Sequence, residues 1–139
     1  LGHNLITRYP KANFICIDEV ELRLATNMKH SSIEEMIGLL RKKINLSTVL
    51  VSRGAKGVVI NAEEGCHYSV PVFSNKVVDR TGAGDAVFSL TAPLIFSKCP
   101  VPILGLIANC AGALKVNSVC NRVSIDPVAL KKFVTALLA

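Results

Sequence analysis

The chain has 139 residues, half of them apolar, which is enough to bury one core of its own. No run of about 18 uninterrupted apolar residues occurs, which excludes a membrane-spanning helix. The formal net charge of +6 is dispersed, with Arg41-Lys42-Lys43 as the only basic run, and aromatic residues are few. We therefore interpret this run as the solvated end of a helix, where the dipole favours cations, in preference to a nucleic-acid-binding patch.

The first residues, Leu1-Gly2-His3-Asn4, contain neither an initiator Met nor the pattern of a signal peptide, and we interpret the chain as part of a longer protein. The cysteines at positions 16, 66, 99, 110 and 120 form no Cys-x-x-Cys pair. We interpret them as reduced thiols of a cytoplasmic protein, and the histidines lack the spacing of zinc ligands.

Residues 14–17, Phe-Ile-Cys-Ile, are a continuous apolar run that predicts a strand covered on both faces. The run ends at Asp18, and the residues after Glu21 predict a short helix. The dipole of a helix favours acidic residues in its first turn, so capping alone is a sufficient explanation for both carboxylates.

A second helix and a second strand follow. Ser31 precedes Glu34 by three residues, which is the spacing of a capping box and predicts the helix start. Residues 48–51, Thr-Val-Leu-Val, predict a buried strand, and the strand, helix, strand order predicts a parallel pair joined by a right-handed crossover. Extended structure resumes at 58–60. The apolar face of the helix consists of Ile33, Met36, Ile37, Leu40 and Ile44.

The loop 52–57, Ser-Arg-Gly-Ala-Lys-Gly, follows the second strand. Open parallel sheets bind ligands at the carboxyl ends of their strands, which favours a binding loop here. Two glycines serve a hairpin turn equally well, so the pattern alone leaves both interpretations open.

Apolar and polar residues alternate in 64–78, which predicts a β excursion, and Pro71 indicates an edge strand. A long helix is predicted after this segment, to about Lys98, with a kink at Pro93. The alternating residues are Cys66, Tyr68, Val70 and Val72.

The stretch 78–85 reads Val-Asp-Arg-Thr-Gly-Ala-Gly-Asp and leads directly into that helix. Its small residues let backbone amides at the helix start approach an anion, and phosphate is the ligand that this pattern favours. Asp85 would place a carboxylate beside the anion, where it could accept a proton from an attacking hydroxyl. A turn followed by an ordinary helix cap explains the same residues, so the glycine spacing by itself does not decide between the two.

Residues 103–114 are apolar nearly all round and predict a buried helix whose conspicuous polar member is Asn109. Asp126 and Pro127 predict the N-cap and first residue of a final helix with one apolar face.

The whole string Asp-x-Thr-Gly-Ala-Gly-Asp, entering an apolar helix, resembles the signature of the ribokinase-like, or PfkB, family of carbohydrate and nucleoside kinases. The resemblance runs from about Phe14 to Leu138 and corresponds to the C-terminal half of a family member. It implies an α/β fold with a mainly parallel sheet flanked by helices. On this interpretation residues 1–139 are the nucleotide-binding and catalytic part, and the N-terminal half and lid lie outside the chain.

The resemblance also implies roles for individual residues. Asp85 would be the catalytic base, and the backbone of Gly82, Ala83 and Gly84 would form the anion hole. The 52–57 loop would match the family's Thr-x-Gly-x-x-Gly motif beside the nucleotide phosphates, and the 103–114 helix would border the adenine. The implied nucleotide contacts are Ser52, Gly54, Gly57 and Asn109.

Two metal sites are implied by the same resemblance. The family's Asn-x-x-Glu motif, which organises magnesium, would read here as Asp18 and Glu21, with magnesium bound through water. Asp79, Thr81 and Ser124 match the positions that hold a monovalent cation, K⁺, in many members. Cys120 stands where many members carry a glycine, which bears on the K⁺ dependence.

The implied activity is transfer of the ATP γ-phosphoryl group to a hydroxyl of a sugar or sugar phosphate, and the fragment alone is expected to be inactive. The signature is most similar to the branch that contains heptose phosphate kinases. A non-catalytic nucleotide-binding or regulatory module is the alternative. We expect neither nucleic acid nor membrane as a partner, and a homodimer of the full-length protein is compatible with the resemblance.

Overall fold

The structure, a computed structural model, describes residues 4–62, 65–73, 78–117 and 124–139. In the first half one strand is followed by two helices and then by three strands, and three longer helices form the second half. In chain order the elements are β1 (Lys11–Asp18), α1 (Glu19–Thr26), α2 (Ile33–Lys43), β2 (Asn45–Ser52), β3 (Val58–Asn61), β4 (His67–Val70), α3 (Ala83–Phe96), α4 (Val101–Lys115) and α5 (Pro127–Leu138).

The described strands form one sheet in the order β1-β2-β3-β4. β1 and β2 are parallel, with Asp18 paired to Ser52 at their carboxyl ends, which confirms the predicted parallel pair. The other two pairs, β2 with β3 and β3 with β4, are antiparallel. Their connections are too short for a crossover, so the parallel character expected of the sheet is confined here to its first pair. The α/β class is confirmed.

Two buried clusters lie on opposite faces of the sheet. Val49 and Val51 of β2 point to the face covered by α1 and α2, whereas Leu50 points to the face covered by α3 and α4. This alternation is the period of two that a strand imposes on its side chains. All five apolar residues predicted for the α2 face are buried, so that prediction is confirmed: Ile33, Met36, Ile37, Leu40 and Ile44.

The start of α2 differs from the prediction by one residue. Ser32 is the N-cap, and its side chain and that of Glu35 exchange hydrogen bonds with each other's backbone amides. The predicted box of Ser31 and Glu34 is wrong, because consecutive serines and consecutive glutamates give the same spacing in two registers. Ile33, buried in the core, fixes the register by lying at the first helical position.

The two C-terminal helices differ in burial. α4 is buried along most of its length, as its apolar sequence predicts. α5 begins as predicted, with the Asp126 carboxylate accepting hydrogen bonds from the Val128 and Ala129 amides, yet none of its residues is fully buried. Among the described residues no helix combines the length and apolar character that crossing a bilayer requires.

Candidate active site

The carboxyl ends of β1 and β2 lead into the two segments that the sequence singles out, α1 and the loop 52–57. The start of α3 lies beside this edge of the sheet. Phe14 of β1 stacks on Phe88 of α3, with 6.1 Å between the ring centroids. The structure therefore brings the signature stretch next to the end of β1, although they are far apart in sequence.

The turn before α3 is held by its own side chains. The Asp79 Oδ1 accepts hydrogen bonds from the Thr81 amide at 2.9 Å and from the Thr81 hydroxyl at 2.8 Å. Gly82, the N-cap residue, has a φ of 75°, which glycine adopts without the strain a larger residue would bear. The Ala83 amide donates to the Arg80 carbonyl at 3.2 Å.

The first turn of α3 leaves amides available for a ligand. Within the part of the chain that the structure describes, the Gly84 and Asp85 amides have no acceptor, as expected of a helix start without a side-chain cap. Gly84 is exposed, and a Cβ built there would have nothing within 4 Å. Ala83, in contrast, already uses its amide within the turn. The amides that this turn leaves available are thus those of Gly84 and Asp85, and the anion hole stays a prediction.

The Asp85 side chain lies in this first turn and is exposed. Its negative charge acts on the Cys16 thiol of β1, as does that of Glu21 in α1. The two carboxylates therefore lie in the neighbourhood of Cys16, although they belong to different elements. An exposed carboxylate at a helix start with free amides can accept a proton from a hydroxyl and remain beside a bound anion.

Cys16 lies near these two carboxylates, a placement that the sequence did not predict. Its pKa is raised to about 12, chiefly by burial and then by the carboxylates of Glu21 and Asp85. The thiol is therefore neutral at physiological pH and adds no charge to the cleft. The sequence holds no signal for this placement, because it depends on how α3 packs against β1.

At the start of α1, Asp18 and Glu21 form a capping box. The Asp18 Oδ1 accepts from the Glu21 amide at 2.7 Å, and the Glu21 Oε2 accepts from the Asp18 amide at 3.4 Å. Capping therefore accounts for one oxygen of each carboxylate, and both side chains are exposed. Among the described residues no group of three or more His, Cys, Asp or Glu could hold a metal ion. Magnesium, however, takes one or two carboxylates together with phosphates and water, so this donor set fits it.

The loop 52–57 is the turn of the β2–β3 hairpin, as one of the two interpretations of its glycines predicts. The Arg53 amide donates to the Gly57 carbonyl at 2.9 Å, which closes the loop. Gly57 has a φ of 81°, and a Cβ there would lie 2.0 Å from the Val70 carbonyl oxygen. Both the backbone conformation and the close approach of β4 therefore require glycine at this position.

Asn109 is buried, and its side-chain amide donates to the Val70 carbonyl at 3.1 Å. It therefore joins α4 to the end of β4, and its nucleotide contact stays a prediction. Ser124 is exposed and begins the last described segment. The residues between 118 and 123, including Cys120, lie outside the described residues, and the K⁺ site stays a prediction as well.

A family model covers most of the chain, including the stretch 78–85. The model described as pfkB family carbohydrate kinase matches residues 4–124 of this chain. The chain belongs to the pfkB family of carbohydrate kinases. The predicted family is thereby confirmed, and the roles of the individual residues in 78–85 stay predictions.

Several curated relatives of this pfkB chain share one name. The chain is 28% identical over 116 residues to the bifunctional protein HldE of Rhodospirillum rubrum, covering 81% of this chain and 23% of that protein. It is 29% identical over 129 residues to HldE of Helicobacter pylori, covering 89% and 27%. The chain thus spans about a quarter of the length of these relatives.

Solved structures confirm the ribokinase-like fold. Arabidopsis thaliana ribokinase complexed with ribose and ATP matches with a TM-score of 0.75 at 22% identity, covering 88% of this chain and 40% of that one. Ribokinase from Thermotoga maritima matches with a TM-score of 0.77 at 20% identity, covering 88% and 42%. At these identities the likeness concerns the fold alone.

One further feature of the site was not predicted. Glu19 in α1 binds Arg53 of the hairpin loop, with 3.0 Å between the Glu19 Oε2 and the Arg53 Nε. Hydrogen bonds from Arg23 and then Arg53 hold the pKa of the Glu19 carboxyl below its usual range. The sequence does contain a signal, because pairing of Asp18 with Ser52 in parallel strands places residues 19 and 53 side by side.

Proposed function

We propose that the chain is the nucleotide-binding and catalytic part of a sugar kinase that transfers the γ-phosphoryl group of ATP to a hydroxyl. The observation that carries this proposal is the first turn of α3, where the exposed Asp85 carboxylate stands beside two amides without acceptors. Membership of the pfkB family supports it. An anion hole and a base are the parts that phosphoryl transfer requires of a protein.

In the proposed mechanism the acceptor hydroxyl lies against Asp85, which takes its proton as the oxygen attacks the γ-phosphorus. The bond from the γ-phosphorus to the bridging oxygen breaks, and ADP leaves with the bonding electrons. The Gly84 and Asp85 amides donate to the phosphoryl oxygens, where negative charge is held during transfer. The helix dipole of α3 adds a favourable potential at the same point.

The proposed cofactors are ATP and Mg²⁺. Asp18 and Glu21 would hold the magnesium through water, and the ion would screen the phosphate charges when bound. A structure of this fold from Escherichia coli contains ATP and Mg²⁺, which supports the choice. Asp79, Thr81 and Ser124 are the proposed ligands of a K⁺ ion.

The proposed nucleotide contacts come from the hairpin loop and α4. Ser52 would offer its hydroxyl and Gly54 its backbone to the phosphates, and Gly57, whose amide donates to the Gly54 carbonyl, would shape the loop around them. Asn109 would border the base through the side of its amide that does not face Val70. The Gly57 conformation and the closed loop support a fixed position for these groups.

The proposed acceptor is a sugar or a sugar phosphate, and the matches to HldE proteins support the heptose phosphate kinase branch. Since the chain spans about a quarter of those proteins, we propose that the acceptor pocket is supplied from outside it and that the fragment alone is inactive. The cysteines at 16, 66, 99 and 110 are free in the structure, which supports a reducing, cytoplasmic location. A homodimer of the full-length protein stays part of this proposal.

Replacement of Asp85 tests the mechanism. We expect Asp85→Asn in the complete protein to lower kcat by roughly 10²-fold, the size of a lost general base, while the dissociation constant of ATP changes little. The measurement is steady-state kinase activity against a panel of sugars and sugar phosphates, with ATP binding followed by calorimetry.

Equal turnover in the wild type and the Asp85→Asn variant would contradict the assignment of the base. ATP binding without turnover of any acceptor by the complete wild-type protein would instead indicate the non-catalytic nucleotide-binding module.

A further inference from the structure

The Glu19–Arg53 ion pair joins two segments of the candidate site. The Glu19 carboxylate receives Arg53 Nε on one oxygen at 3.0 Å and Arg23 on the other at 2.7 Å. All three side chains are less than a third exposed, with Glu19 at 18% and Arg53 at 23%. A carboxylate held from two sides at partial burial has a fixed position, unlike a fully solvated surface pair.

Arg53 is the residue at which the hairpin loop closes. Its amide donates to the Gly57 carbonyl at 2.9 Å, and its carbonyl accepts from the Lys56 amide at 3.1 Å. The Gly57 amide in turn donates to the Gly54 carbonyl at 3.0 Å. A side-chain contact that fixes Arg53 therefore fixes the base of the loop that carries Gly54 and Gly57.

Glu19, for its part, lies between the two proposed magnesium carboxylates. Asp18 precedes it as the N-cap of α1, and Glu21 follows it in the first turn. The capping box holds this turn rigid, so the Glu19 side chain extends from a fixed point. One ion pair thus connects the proposed magnesium segment to the proposed phosphate loop.

We propose that Glu19 is a positioning residue: through Arg53 it holds the hairpin loop 52–57 at a fixed position relative to the start of α1. The effect on ATP binding rests on the proposed function, because the two segments would hold different parts of one Mg²⁺–ATP complex. The ordering of the loop by Glu19 does not depend on that function. A small displacement of groups that bind one ligand costs affinity, since the ligand contacts both at once.

The test compares Glu19→Gln, Arg53→Gln and the double variant. We expect each single variant to speed hydrogen exchange at the Lys56 and Gly57 amides about fivefold and to raise the ATP dissociation constant about fivefold, with the double variant no worse than either single. Arg53→Lys keeps the charge and should restore part of both effects. In the complete protein the KM for ATP should rise while kcat changes less.

The control is His67→Gln, which alters another side-chain contact of the same length, between His67 Nε2 and Glu34 Oε1 at 3.0 Å. It should leave exchange at Lys56 and Gly57 and the affinity for ATP unchanged. Urea unfolding of every variant separates a loss of overall stability from a change confined to the loop.

Unchanged loop exchange in Glu19→Gln, or single-variant effects that add up in the double variant, would overturn the proposal. A lowered unfolding midpoint with unaltered loop exchange would do the same, since it indicates a merely structural ion pair. If the wild type binds no ATP, the proposed function fails, and the exchange measurement still decides whether Glu19 positions the loop.

Discussion

Gly57 shows how one residue without a side chain can join two segments near the site. Its φ of 81° disfavours any other residue, and a Cβ would lie 2.0 Å from the Val70 carbonyl oxygen and 2.8 Å from the Pro71 carbonyl carbon. Gly54 in the same loop also has a positive φ, of 57°, yet has nothing within 4 Å of its Cβ position. Gly54 therefore combines a positive φ with open space, whereas Gly57 combines a positive φ with steric overlap.

We expect Gly57→Ala to lower the free energy of unfolding by about 4 kcal/mol, because a φ of 81° with a ψ of −142° is a conformation that glycine almost alone adopts, costing about 1–3 kcal/mol, and overpacking costs about 2 more. Gly54→Ala, the control in the same loop, should cost only about 1 kcal/mol, because its φ of 57° is left-handed and its Cβ would meet no atom. Urea unfolding of both variants measures the difference. Equal losses in the two variants would contradict the close contact between the hairpin loop and the end of β4.

Among individual residues, the sequence predicted those whose role follows from a motif. It did not predict those whose role follows from packing. Asp85 and the glycines of 78–85 could be identified, because a local string carries them. The acceptor of the Asn109 amide and the position of Cys16 near Asp85 could not, since each depends on a contact between elements distant in sequence.

Helix α3 carries the site in its first turn, and the turn is built differently from those of α1 and α2. Those two helices begin with capping boxes, whereas α3 begins at a glycine with no side-chain hydrogen bond. An uncapped start sacrifices some helix stability and leaves amides for a ligand. Helix α3 is thus less stabilised in its first turn, which is the part proposed to bind phosphate.

Gly84→Ala should make the protein more stable and its binding of ATP weaker. We expect the free energy of unfolding to rise by up to about 1 kcal/mol, because alanine favours the helix and no atom lies within 4 Å of its Cβ position. We expect the ATP dissociation constant to rise by about tenfold, because the added Cβ would obstruct the approach of the phosphate to the amides and so weaken a charge-assisted hydrogen bond, which contributes about 1.5–3 kcal/mol. Urea unfolding and calorimetry measure the two quantities.

Gly38→Ala is the control for this variant, because Gly38 is an exposed residue within α2 that also has nothing within 4 Å of its Cβ position. It should stabilise the protein similarly and leave ATP binding unchanged. Undiminished ATP affinity in Gly84→Ala would count against the anion hole.

Element types were more predictable than element boundaries and strand directions. Continuous apolar runs located β1 and β2, and apolar residues at helical spacing located α2 and α5, since each of these elements buries one face or both. The start of α2 was misplaced by one residue, because Ser31 and Ser32 offer equivalent caps and only the burial of Ile33 selects between them. The antiparallel direction of β3 was left open, because its glycine loop suits a hairpin and a binding site alike.

For the whole molecule, the sheet gathers segments that are scattered along the sequence. The parallel pairing of β1 and β2 brings Asp18 and Ser52 to the same edge, and the packing of α3 on β1 adds Asp85 beside Cys16. The order of elements and the family could be predicted from the sequence, but the convergence of these segments follows from the packing of α3. That convergence is what the proposed phosphoryl transfer depends on.

The most direct test is to follow the backbone amide resonances of the ¹⁵N-labelled chain by NMR while ATP and Mg²⁺ are added. We expect saturable changes in chemical shift that are largest at the Gly84 and Asp85 amides, because these amides are proposed to donate to the phosphate oxygens. Saturable ATP binding that leaves residues 82–85 unmoved, or the absence of any saturable shift, would contradict this expectation.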